Sequence, residues 1–142
     1  MPPLYMKKIS ILSIIFLLLI GCSTDDAPFF FFEVTPVNVV SDVPDVFVVG
    51  QTDTIQVTYR RPSTCHAFNG FDITNDGDIR EIAVITKVVE GRATCSDLEN
   101  DLRTAPLVIT PEAAGQLNLS FFTGNNEIGD PTFITFNVPI VE

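Results

Sequence analysis

From Asp53 onward apolar residues return at every second position, and that period narrows sharply what the chain can fold into. Ile55, Val57 and Tyr59 alternate with Thr54, Gln56, Thr58 and Arg60. Leu117, Leu119 and Phe121 alternate with Gln116, Asn118 and Ser120, and Ile134, Phe136, Val138 and Ile140 with Thr135, Asn137 and Pro139. Successive side chains of a β-strand point to opposite faces, so each run reads as a strand with one face buried and one in water.

The remaining segments fit the same pattern. Phe30 to Val40 and Val46 to Val49 supply early strands, interrupted by Pro36 and Pro44. Proline cannot donate to a sheet ladder, so these two belong at edges or where a strand switches sheets. Cys65 to Ile73 and Ile79 to Val89 flank Asn75-Asp76-Gly77-Asp78. Asp-Gly in such a setting predicts a type I′ hairpin, whose two central residues both need positive φ. Leu107 to Thr110 is a short strand, and the loop from Gly124 to Gly129 joins the last two strands. A helical turn is expected only over Ser96 to Arg103, with Ser96 as its cap and Asp97 and Glu99 in its first turn. About seven strands with turns between them predict an all-β, two-sheet antiparallel sandwich over residues 29–142. The pattern is similar to that of immunoglobulin-like domains. The core tryptophan usual in such domains is absent, since the chain contains no Trp.

The N-terminal segment is of a different kind. Lys7-Lys8 is followed by an apolar run from Ile9 to Ile20, broken only by Ser10 and Ser13, and then by Gly21-Cys22. A bilayer span takes about 20 apolar residues, so this shorter run reads as the apolar core of a signal peptide. Leu19-Ile20-Gly21-Cys22 resembles the lipobox of bacterial lipoprotein precursors. The resemblance covers residues 6–22 and implies a signal helix removed with residues 1–21. It also implies diacylglyceryl transfer to the Cys22 thiol and, as a rule, acylation of the new amino terminus. Each buried methylene contributes about 0.8 kcal/mol, so several acyl chains hold essentially permanently where one holds weakly. Met1 and Met6 are both candidate starts. Residues 22–28 are then the lipidated cysteine and a short polar tether. Ser23 stands where an inner-membrane retention aspartate would, which favours the outer membrane. Asp25-Asp26 resembles the export signals of surface-displayed lipoproteins, leaving a surface-exposed and a periplasm-facing orientation both open.

With Cys22 consumed by lipid, Cys65 and Cys95 remain as a pair in an oxidising compartment, where a structural disulfide is expected. No Cys-x-x-Cys occurs, so a thiol-exchange site lacks its motif. Cys65-His66 does not form a thiol–imidazole pair on a strand, because neighbouring side chains diverge.

All 18 acidic residues follow Cys22, against six of the eight cations, so residues 22–142 carry a net −12. A domain this negative repels nucleic acid and anionic phospholipid. The acidic turn offers Asp72, Asp76 and Asp78 as weak candidate cation ligands. An EF-hand reading fails, because its third position is Thr74 and its closing twelfth is Ala83 instead of a carboxylate. His66 is the one histidine. Any Ser-His-Asp catalysis would have to use it, and no Gly-x-Ser-x-Gly elbow is present. No cofactor and no catalytic residue is expected. The four consecutive phenylalanines, Phe29 to Phe32, suit a strand buried on both faces, or an apolar patch for a partner or for the membrane near the anchor. Phe122 and Phe133 raise the same alternative. The reading is a non-catalytic, lipid-anchored envelope protein acting as a binding or accessory module at the outer membrane, with a protein partner. A small-ligand or glycan-binding domain, with Tyr59 or Phe rings lining a groove, and a structural spacer are the alternatives.

Overall fold

The computed structural model describes residues 29–91 and 94–142. The predicted signal helix, the Cys22 lipidation site and the tether lie outside the described residues.

The described residues form nine strands: β1 (Phe30–Thr35), β2 (Val37–Ser41), β3 (Phe47–Val48), β4 (Asp53–Arg60), β5 (His66–Asp76), β6 (Ile79–Val89), β7 (Leu102–Ile109), β8 (Gly115–Asn125) and β9 (Pro131–Val141). They form a β-sandwich. One sheet has six strands in the order β1-β6-β8-β9-β3 with β5 on the other side of β6, and the second has three, β2-β4-β7. The chain changes sheet at every connection except the β5-β6 and β8-β9 hairpins. Pro36 is the first crossing point: β1 lies in the large sheet and β2 in the small one, which resolves the sheet-switching expectation in its favour.

The expected alternation packs the interior. Ile55, Val57 and Tyr59 of β4 and Ala105, Leu107 and Ile109 of β7 meet Phe47, Ile82, Val84, Leu117, Leu119, Phe121 and Val138 from the large sheet in one buried cluster. At roughly 25 cal/mol per Å² of apolar surface removed from water, this two-sided layer is the main favourable contribution to folding.

Four expectations change. The sheets are not wholly antiparallel: β6 pairs β8 and β3 pairs β9 in parallel. The β6-β8 case follows from connectivity. Between them the chain crosses to β7 in the other sheet and back, two reversals that restore its direction. β1 pairs only with residues 84–89 of β6, so residues 79–82 are free to take β8 on the same side.

The hairpin turn is displaced by one residue. Asp76 pairs with Ile79, making Gly77-Asp78 the central pair, and only Gly77 has a positive φ, at 58°. Gly first with a single positive φ is the type II′ pattern, not type I′. The helical turn over Ser96 to Arg103 does not form, and Leu102–Ile109 is strand. The backbone of this segment is engaged elsewhere. Leu98 N–H donates to Pro62 O at 2.8 Å, Thr64 N–H to Ser96 O at 3.0 Å and Arg61 N–H to Asp101 O at 2.8 Å. Lastly, β1 is not buried on both faces. Phe30, Phe32 and Val34 are exposed, because among the described residues none covers the outer face of the large sheet beside β1.

Candidate functional site

Two regions hold side chains whose arrangement exceeds what a packed sandwich needs. The first is the corner between β4 and β5. A disulfide joins Cys65 and Cys95, with Cα atoms 5.4 Å apart, the pair expected from the sequence. It ties the start of β5 to the segment before β7. Next to it, His66 turns away from the disulfide. Its Nδ1 lies 2.7 Å from Ser63 Oγ and its Nε2 3.1 Å from Glu33 Oε2. A carboxylate only accepts, so Nε2 carries the hydrogen, and in the neutral ring Nδ1 accepts from the Ser63 hydroxyl. Ser63 Oγ also accepts Cys65 N–H at 3.2 Å.

This serine–histidine–glutamate chain was only half legible in the sequence. Ser63 stands three residues before His66, the spacing of a hydroxyl that hydrogen-bonds within its own turn. Glu33 lies 33 residues from His66 and carries no local signal; β1 and β5 bring the pair together by flanking β6 on opposite sides. Ser63 is buried, and its oxygen bonds His66 while accepting Cys65 N–H, so the chain ties a turn to a strand.

At the same corner Asp101 accepts from Arg61 Nε at 2.6 Å and from Arg103 Nε at 3.1 Å. Desolvation pushes the Asp101 carboxyl up, but the hydrogen bonds and charges of Arg103 and Arg61 outweigh it and hold the group below its ordinary value. Burial pushes the Tyr59 phenol up, against the pull of the same two arginines. Tyr59 sits in the core, its ring 6.0 Å from that of Phe68, and so lines no groove.

The candidate cation ligands do not converge. Asp72 and Asp76 are four positions apart on β5, a separation of about 13 Å along a strand, too far to share one ion. Asp78 lies in the turn beyond them. Among the described residues no three His, Cys, Asp or Glu side chains come together as a cation cage.

The second region is the uncovered face of the six-stranded sheet. On it stand Phe30, Phe32 and Val34 from β1, Ile85 and Lys87 from β6, and Phe122 and Phe133 from β8 and β9. The Phe30 and Phe32 rings pack edge to face at 5.8 Å, and Phe122 and Phe133 do so at 6.1 Å. The Lys87 ammonium lies 3.8 Å from the centre of the Phe30 ring, a cation–π contact. Val34, Ala83, Phe122, Pro131 and Phe133 line a shallow concavity of about 380 Å³, with Asp72 and Glu81 at its side. Comparison with protein-family models, with curated proteins and with solved structures finds no match to this chain.

Proposed function

We propose that this chain is an exported lipoprotein, acylated on Cys22, whose sandwich serves as a non-catalytic binding or accessory module at the outer membrane. One observation carries the reading. Of three cysteines, Cys65 and Cys95 pair with each other, and disulfides persist in oxidising compartments. The cysteine left over is the one that ends the leader. Its neighbours Leu19-Ile20-Gly21 supply the lipobox resemblance, and Ser23 and Asp25-Asp26 favour the outer membrane, facing either the surface or the periplasm.

The sandwich is read as immunoglobulin-like in its general plan, with parallel β6-β8 and β3-β9 pairs as its own departures. An envelope protein is the partner class that suits a tethered, strongly acidic domain, and nucleic acid is disfavoured by the same charge. The burial of Ser63, which keeps its hydroxyl from solvent, supports a role without catalysis. A second reading, a small-ligand or glycan site, has the concavity between Val34, Phe122 and Phe133 in its favour: aromatic rings with carboxylates at their side suit a sugar ring.

Intact mass of the protein extracted from cell envelopes tests the main reading. The expected species begins at residue 22 and carries acyl chains that disappear in Cys22→Ser. A native protein with its leader intact and no fatty acid overturns it.

A further inference from the structure

The two outer faces of the sandwich differ in kind. On the three-stranded sheet outward Thr54, Gln56, Thr58 and Thr104 are interspersed with exposed Val39, Leu102 and Val108, and Thr58 and Thr104 hydrogen-bond to each other at 2.9 Å. On the six-stranded sheet the outward positions of β1 form an unbroken apolar row. Phe30, Phe32 and Val34 expose 47%, 55% and 48% of their surface, where isolated exposure would be unremarkable but a contiguous row is not.

That face is also polarised along its strands. Beside Phe30, Phe32 and Val34 the outward residues are Val89, Lys87 and Ile85 on β6 and Ala67 and Gly70 on β5. Within the paired residues this half holds a cation and no outward acid, exposed Glu90 standing beyond the end of β6. The other half carries Asp72, Thr74 and Asp76 on β5 with Glu81 on β6. Aromatic rings with a snorkelling lysine suit the boundary between head groups and acyl chains, and three carboxylates suit water.

The chain outside the structure gives the occupant. Phe29 is seven residues beyond Cys22, and a chain of that length reaches at most about 25 Å. If Cys22 is acylated, the phenylalanine end of this face can never leave the neighbourhood of the bilayer. We infer that the Phe30–Val34 end of the six-stranded sheet's outer face rests on the zwitterionic phospholipid surface beneath its own anchor. The acidic β5-β6 hairpin then points away, and the three-stranded sheet is left free for partners. The inference rests on the acylation proposed above.

The absence of tryptophan makes the test direct. The full acylated chain is reconstituted in phosphatidylcholine vesicles whose acyl chains carry bromine, a contact quencher of indole. The reporter is Phe32→Trp and the control Val108→Trp, an exposed position on the opposite sheet. Both sites are on the surface, and unchanged melting temperatures establish that both variants fold. The Phe32→Trp emission should shift to the blue and be quenched several-fold more strongly than that of Val108→Trp. Equal quenching at the two positions, on protein whose mass shows the acyl chains, overturns the inference and leaves the anchor standing. An unmodified Cys22 overturns both. Blue-shifted emission that bromine does not quench, and that reverts on dilution among the vesicles, identifies a second copy as the occupant and also overturns it.

Discussion

Thr35 and Thr86 share a hydroxyl–hydroxyl hydrogen bond of 2.9 Å in the interior, between strands 51 residues apart in the chain. Thr86 also donates toward the Glu33 carbonyl at 3.4 Å, so in a consistent arrangement the Thr35 hydroxyl is the donor to Thr86. This polar contact clamps β1 onto β6 within an otherwise apolar layer. Thr86→Val leaves the Thr35 hydroxyl buried without its partner and should cost about 1–3 kcal/mol. The double variant Thr35→Val/Thr86→Val removes both ends and should recover most of that loss. Denaturant unfolding of the two single variants and the double one measures the coupling, and strictly additive losses would refute the clamp.

The Cys65–Cys95 bond closes a loop of 30 residues. Constraint of the unfolded chain by such a loop is worth about 3–4 kcal/mol. That is a large part of the roughly 5–15 kcal/mol by which a domain of this size is stable. Cys65→Ala/Cys95→Ala should therefore lower the denaturant midpoint severely, and wild-type protein under reducing conditions should follow it. Wild-type protein that loses nothing on reduction would show the crosslink to be dispensable.

How much of this was legible beforehand depends on whether the signal was local. The alternation in β4, β8 and β9 was readable because each strand is half-buried and reports its own face. The disulfide followed from counting, since the lipobox resemblance sets Cys22 apart and leaves two thiols. The Phe29–Phe32 row was ambiguous, because its exposure depends on whether a further layer covers the large sheet, and no residue in β1 encodes that. Ser96 to Arg103 misled for a related reason. Its residues suit a helical turn in isolation, but Pro62, Thr64 and Arg61, more than thirty residues earlier, engage its backbone. Glu33 and His66 had no sequence signal for one another at all. Their meeting is a property of strand order.

Phe121 and Phe122 test the alternation directly. Phe121 is fully buried, with Phe136 packed edge to face at 6.0 Å, while Phe122 is half-buried on the outer face against Phe133. Phe121→Ala should destabilise by about 3–5 kcal/mol through lost burial and the cavity left behind. Phe122→Ala loses an aromatic pair worth about 0.5–1.5 kcal/mol and a smaller buried area. Thermal or urea unfolding should rank the two in that order, and equal losses would mean the outer face is covered in solution.

Asp101 makes stability depend on pH in a predictable direction. Arg61 and Arg103 hold its carboxyl below the ordinary value of 3.8. A carboxyl lowered by folding stabilises the native state fully above its unfolded value and loses that contribution as pH falls through its folded value. The sensitive window thus lies below 3.8, and above it the contribution is constant. Asp101→Asn cannot ionise, so its urea midpoint should fall below that of the wild type at neutral pH. The difference should shrink once pH drops under the window. Salt should narrow it too, since the Arg103 side of the cluster is half exposed and screened by counterions. A difference that stays constant from neutral to strongly acid pH would show that the two arginines do not stabilise the charged form of Asp101.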